Sequence, residues 1–295
     1  MENTPNIFLK KKILVYGLGK SGLSALKFLL NKCEVHAYDD FNKKFKSLSL
    51  KKKLIKFNKI SSLNFDQIIL SPGININNCK LSNYLKKNKK KIYTDLDIFY
   101  SFNKNFCITI TGTNGKSTSS KLLYEILRNQ RFDVRLVGNI GNPILSVKNI
   151  NQKTIFVIEA SSYQLEYSKI FKSKFAVILN LSPDHIERHK TLNNYIKSKF
   201  KLLKNQSKNN LAFVKKNDFL ISKELKKNNF KSKIIKVDTK KIENYIKDCD
   251  NKFFSTEANK ENLSFIIEIS KRLKLNNIFL KKTIQKFKGL QYRQQ

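Results

Sequence analysis

Short apolar runs, each ending in a glycine-rich or polar turn and each followed by a helical stretch, recur along this chain. Lys12–Tyr16 leads into Gly17-Leu18-Gly19-Lys20-Ser21-Gly22 and then a helical stretch over Leu23–Asn31. Glu34–Tyr38 ends at Asp39-Asp40, and Gln67–Leu70 ends at Ser71-Pro72-Gly73. The pattern restarts near residue 100, after a lysine run (Lys86–Lys91) read as a solvated helix end and a strand-like piece at Ile92–Tyr93. Phe106–Ile110 then leads into Thr111–Thr118 and a helix through Asn129. Ile155–Ile158 ends at Glu159, and Phe175–Leu179 ends at Asn180 with Asp184-His185 beyond. Strands interleaved with helices demand parallel sheets with right-handed crossovers. The chain is therefore read as α/β, with a Rossmann-like parallel-sheet domain over residues 1–100 and a P-loop-type α/β domain over residues 101–295. In such sheets ligands bind beyond the carboxyl ends of the strands, where the polar residues of this sequence stand.

The length of 295 residues, the apolar fraction of 40% and 22 Phe suit two packed domains. No run approaches the ~20 consecutive apolar residues of a membrane span. The start, Met1–Lys12, is polar and then basic, with no signal-peptide core. A soluble cytoplasmic protein without membrane insertion is expected. Cys33, Cys79, Cys107 and Cys249 lack CxxC spacing, so reduced thiols are expected rather than disulfides or zinc. The net charge of +37 ordinarily points to nucleic acid. Yet only six of the 59 basic residues are Arg, the usual base and phosphate reader. A codon bias towards A and T explains the Lys, Asn, Ile and Phe usage together, and no nucleic-acid role is expected.

The segment Gly112-Thr113-Asn114-Gly115-Lys116-Ser117-Thr118 carries the strongest chemical signal. Glycines let backbone N–H groups close around phosphate oxygens. The helix N-terminus and Lys116 add positive charge, and Ser117 or Thr118 can offer a hydroxyl to Mg²⁺. The spacing departs from GxxxxGK[ST], because the glycines are three residues apart rather than five. Gly17-x-Gly19-x-x-Gly22 followed by Asp39 matches the dinucleotide fingerprint, a geometry that serves any diphosphate. Alone it would suggest an NAD-dependent dehydrogenase; two nucleotide loops on one chain favour a nucleotide-linked substrate instead. Glu159 and Asp184-His185 follow adjacent strands and can hold Mg²⁺ between phosphates and a substrate carboxylate, although strand-end acids also cap helices.

These residues, together with Gly138-Asn139-Ile140-Gly141, Glu159-x-Ser161-Ser162-x-Gln164 and Lys199, resemble the Mur ligases. Gly17–Gly22 and Ser71-Pro72-Gly73-Ile74 resemble the branch of that family that adds D-glutamate. The resemblance implies that Lys20, Ser21, Asp39, Ser71 and Gly73 bind a UDP moiety, and that Asn139, Ser161 and Gln164 hold the sugar-peptide. It implies that Gly112–Thr118 with Asn259, Asn262 and Arg293 bind ATP. It also implies that Ser117, Glu159, His185 and a carbamylated Lys199 support Mg²⁺, two ions in all, with Lys116, Lys199 and His185 catalytic. The implied substrates are UDP-N-acetylmuramoyl-L-alanine, D-glutamate and ATP, handled by a monomer. Departures from the family pattern are Ala258 and Tyr292, where histidines are common. The family also continues into a C-terminal Rossmann-like domain that supplies most of the amino-acid pocket, so this chain, ending at Gln295, is expected to lack it and to form no amide alone.

The implied chemistry is ligation through an acyl phosphate. Rival readings are another Mur-type or folylpolyglutamate-type ligase, an NAD dehydrogenase and a basic nucleic-acid binder. The folate enzymes lack the Gly17–Gly22 fingerprint.

Overall fold

The computed structural model describes residues 6–41, 45, 47–240, 242 and 249–290. They form two compact units. The first comprises Met1–Lys104, Asn142–Asn149 and Tyr163–Phe171; the second comprises Asn105–Gly141, Ile150–Ser162 and Lys172–Gln295. The first stretch runs past residue 100 because the helix Asp95–Phe102 belongs wholly to it. Two later segments also join the first unit, which a linear division of the chain does not anticipate.

The first unit has strands β1 (Lys12–Tyr16), β2 (Glu34–Tyr38), β3 (Gln67–Leu70) and β4 (Ile92–Tyr93), all parallel, in the order β2-β1-β3-β4. β1 is central and covered on both faces, which is why KILVY reads as a continuous apolar run. Its register pairs Tyr16 with both Tyr38 and Leu70, so the turns after β1, β2 and β3 leave one edge of the sheet together. Helix α1 (Lys20–Leu29) buries Gly22, Ala25, Leu26 and Leu29, the spacing of one helical face. It starts at Lys20 rather than Leu23, with the extended backbone of Gly19 as its N-cap. Helices α2 (Leu48–Lys51) and α3 (Ser82–Lys87) are short. α4 (Asp95–Phe102) starts in a capping box between Thr94 and Asp97.

The second unit is built on six parallel strands: β5 (Phe106–Thr111), β6 (Val134–Gly138), β7 (Ile155–Glu159), β8 (Phe175–Ile178), β9 (Leu211–Lys215) and β10 (Lys233–Val237). Their order is β10-β9-β8-β5-β7-β6. Its helices are α5 (Lys116–Asn129), α7 (Ile186–His189), α8 (Leu192–Lys204), α9 (Phe219–Lys227), α10 (Glu257–Arg272) and α11 (Asn277–Lys286). α6 (Ser162–Tyr167) begins at the end of one of this unit's segments. Leu122, Leu123, Ile126 and Leu127 of α5 are buried with Ile108, Ile110, Val157 and Val177 of the sheet and with Leu263 and Ile266 of α10. Each such side chain contributes about 1.5–3 kcal/mol by leaving water, so a charge at Ile126 would break this face. That packing fixes the N-terminus of α5 over the carboxyl end of β5. Three strands, β6, β9 and β10, had no sequence expectation; Arg135 interrupts the first, and lysines end or punctuate the others.

Candidate functional site

In the second unit the strand order reverses at β5, which pairs with β7 on one side and β8 on the other. That reversal opens a crevice at the strand ends. Gly112 and Gly115 adopt φ values of +154° and +81°, which other residues rarely take. A Cβ on Gly115 would fall 2.0 Å from Oδ1 of Asn262, a buried residue of α10. Asn262 thus lies directly against the loop. Asn180, just past β8, clamps the same loop: its Oδ1 accepts from Asn114 N–H at 2.9 Å, and its carbonyl accepts from Thr113 N–H at 3.0 Å. Lys116 Nζ donates to the carbonyls of Gly112 (3.0 Å) and Thr113 (2.6 Å). Ser117 is buried in the first turn of α5, Thr118 is half-buried, and Asn114 is exposed.

Beside the loop, Glu159 ends β7 with its side chain fully buried. Its Oε1 accepts from Asn139 Nδ2 at 3.0 Å, while Oε2 has no hydrogen-bond partner among the described residues. A buried carboxylate oxygen without a partner is costly, and a cation would relieve it. The Asn139 amide is therefore engaged with Glu159. Lys199 of α8 is also buried; its Nζ donates to Gly112 O at 2.8 Å and approaches Thr111 Oγ1 at 3.4 Å. Burial first, and the charge of Lys116 second, push its ammonium down to about 7, despite Asp184 and Glu159. A substantial neutral fraction follows at neutral pH. His185, with φ +53°, is partly exposed; its Nε2 is 3.4 Å from Asp184 and its Nδ1 3.8 Å from Glu187. His189 next to it is buried, hydrogen-bonds Ser162 Oγ at 3.0 Å, and is pushed down to about 4 by burial and then by Arg188.

Among the described residues no three His, Cys, Asp or Glu side chains cluster as a metal site. The groups here that could serve an ion are the unpartnered Glu159 oxygen, His185 and the Ser117 hydroxyl, while Lys199 Nζ donates to the loop. Few protein ligands beside a phosphate loop is the pattern that suits Mg²⁺, which keeps waters and phosphate oxygens around it.

In the first unit Gly17 adopts φ +86°, and a Cβ on Gly22 would sit 1.8 Å from Gly17 O. Helix and turn therefore touch backbone to backbone. Ser71 Oγ donates to Gly17 O at 2.7 Å. Asp39 is buried, and its carboxylate accepts from the N–H groups of Leu18 (2.5 Å) and Phe41 (3.0 Å). The acid of the dinucleotide fingerprint thus braces the glycine turn. Lys20 and Gly73 are exposed, and Ser21 is half-buried. A cleft of about 740 Å³ opens beside Asp39, lined by Tyr38, Leu54, Ile55, Lys56, Phe57 and Lys80. Two aromatic rings and two ammonium groups suit a base and its phosphates.

Gln164 of α6 belongs to this first unit, where its Nε2 lies 3.5 Å from Asp95 Oδ2. Asp95 is buried, also accepts from Leu96 N–H and the Ser21 side chain, and is pushed up to about 6 by burial. Its neighbour Asp97 accepts twice from Thr94 and once each from Ser168 Oγ and the N–H groups of Lys169, Ile170 and Phe171. Ser161 is half-buried between β7 and α6. Asn259 follows the N-cap Thr256, and its amide donates to Phe253 O at 2.8 Å. Arg293 and Tyr292 lie outside the described residues. The sequence reading missed Asn180 as a clamp, Tyr195, His189 and the Asp95–Asp97 pair; only the capping-box spacing Thr94-x-x-Asp97 offered a signal for any of them. No helix among the described residues is long and apolar enough to cross a membrane.

Comparison with known proteins bears on this arrangement. Residues 110–280 match the Mur ligase middle domain, and residues 11–92 match the MurD-like N-terminal domain of Mur ligases. The UDP-N-acetylmuramoylalanine--D-glutamate ligase of Rickettsia bellii (strain RML369-C) is 32% identical over 313 residues, covering 98% of this chain and 69% of that protein. The ligase of the same name from Rickettsia felis (strain ATCC VR-1525 / URRWXCal2) is 38% identical over 216 residues, or 71% of this chain and 47% of that protein. Among solved structures, the UDP-N-acetylmuramate:L-alanyl-gamma-D-glutamyl-meso-diaminopimelate ligase from Neisseria meningitides gives a TM-score of 0.60 at 14% identity, covering 95% of this chain and 99% of that one. At that identity the likeness bears on the fold alone.

Proposed function

This chain belongs to the Mur ligase family, and we propose that it serves the ATP-dependent joining of D-glutamate to UDP-N-acetylmuramoyl-L-alanine. The observation that carries this reading is the juxtaposition of a glycine-rich phosphate loop after β5, a buried lysine of α8 held on that loop and, at the end of the neighbouring β7, a buried carboxylate with an unpartnered oxygen. In this reading Gly112–Thr118 and Asn262 hold ATP, and the family resemblance alone adds Asn259 and Arg293 to that role. Lys20, Ser21, Asp39, Ser71 and Gly73 with the neighbouring cleft hold the UDP end. Asn139 and Ser161, both of the second unit, are read from the family resemblance as contacts of the sugar-peptide.

The substrate carboxylate oxygen attacks the γ-phosphorus, the bond to the bridging oxygen breaks and ADP leaves. The amine nitrogen then attacks the acyl carbon, phosphate departs, and the amine proton passes to solvent. Lys116 neutralises the crowded anions, and backbone N–H groups of the loop orient them before reaction. Ser117, Glu159, His185 and Lys199 would hold Mg²⁺, whose chemistry is charge neutralisation between phosphate and carboxylate oxygens. Lys199, buried with its ammonium pushed down to about 7, is suited to add CO₂: its neutral amine bonds to the carbon and gives up one proton to solvent, which would leave an anionic carbamate as a ligand. The match of residues 11–92 favours the D-glutamate branch over other amino acids.

Titration calorimetry tests the proposal. Mg·ATP and UDP-N-acetylmuramoyl-L-alanine should each release heat on binding the native chain, and NADH should not. Binding of NADH with silence for Mg·ATP would overturn it.

A further inference from the structure

We propose that Tyr195 is a positioning residue whose buried phenol ties the phosphate loop to the lysine and histidines beside it. The inference rests on reading residues 112–118 as a nucleotide site. Tyr195 is wholly buried on α8, and its hydroxyl lies 2.9 Å from Thr113 Oγ1. Thr113 Oγ1 also accepts from Ser182 N–H at 3.0 Å and reaches Ser182 O at 3.2 Å. One arrangement satisfies every group. Tyr195 O–H and Ser182 N–H donate to Thr113, and the Thr113 hydroxyl donates to Ser182 O. Thr113 is then held in one rotamer, and with it the backbone between Gly112 and Gly115.

The ring has a second set of contacts. Lys199, four residues on and so on the same helical face, places Nζ 4.7 Å from the ring centroid. The rings of His189 and His185 stand edge-on at 5.5 and 6.4 Å. A single side chain thus meets a phosphate-loop residue, a lysine and two histidines. Burying a phenol there would be a poor choice for packing alone, because its hydroxyl must be satisfied. Its position makes that need coincide with the loop.

The test is a double-mutant cycle between Tyr195→Phe and Thr113→Val, read as Mg·ADP affinity by calorimetry and as the thermal midpoint without nucleotide. Each single variant should weaken Mg·ADP about five- to tenfold, the scale of one hydrogen bond, and the double variant should weaken it no further than either alone. Phe keeps the packed ring, so the Tyr195→Phe midpoint should move little. Independent, multiplying losses, or native affinity in Tyr195→Phe, would overturn the inference while leaving the nucleotide site intact. Failure of the unaltered chain to bind Mg·ADP would instead remove the underlying reading.

Discussion

Lys116 and Glu159 face the same crevice with opposite charge, and their roles separate by experiment. Lys116→Ala should weaken Mg·ATP about ten- to a hundredfold, the scale of a charge-assisted hydrogen bond, and leave binding of the UDP-linked substrate unchanged in calorimetry. Glu159→Gln should remove the enhancement of nucleotide affinity by Mg²⁺. It should also raise the urea midpoint, because a buried carboxylate with an unpartnered oxygen destabilises the fold that keeps it. Gain of stability with loss of metal response identifies a residue kept for binding. The positions of Lys116, Glu159 and His185 were the most legible in the sequence: all follow apolar runs, and the sheet delivers them to its carboxyl edge. The partners were not legible. Asn180, Tyr195 and Asp95 are ordinary polar residues by type, and only the crossing of separate elements sets them against Asn114, Thr113 and Ser21.

At the scale of elements, the turn into α5 depends on Gly115. Alanine there would need φ near +81° and a Cβ within 2.0 Å of Asn262 Oδ1. The strained backbone alone costs about 1–3 kcal/mol, so Gly115→Ala should lower the thermal midpoint and displace Asn262, with loss of nucleotide binding. The start of α4 carries a pH dependence. Asp95 sits at about 6, above the ordinary 3.8, so the folded chain binds more protons than the unfolded one between those values. Its contribution is therefore present at low pH and lost as pH rises through about 6. In urea unfolding, Asp95→Asn should gain on the parent as pH is raised from about 4 to about 8, and a flat difference would contradict this. The elements themselves were read well where an apolar run is uninterrupted and ends in a marked polar or glycine turn, as in β1, β3, β5, β7 and β8. β9 and β10 escaped because Lys215, Lys233 and Lys236 blunt short runs that only pairing with β8 and with each other makes into strands.

The described residues form two units, each with its own sheet and its own set of strand-end groups. If nucleotide and UDP-linked substrate belong to different units, each should slow amide hydrogen exchange locally. Mg·ATP should protect β5 and β7, and the UDP-linked substrate β1 and β3, each by about 2.7 kcal/mol at a hundredfold excess over its dissociation constant. Protection of both sheets by either ligand alone would contradict the assignment of one ligand to each.

The six bonds accepted by Asp97 set an order of events during synthesis. Four of the donors come from residues 168–171, so a ribosome that has released only the first hundred or so residues leaves this buried acid without most of its partners. The earlier-made helix α4 must wait for a stretch encoded after β7 to satisfy its acid. A gene cut between the two units would separate an acid from the amides that keep it buried.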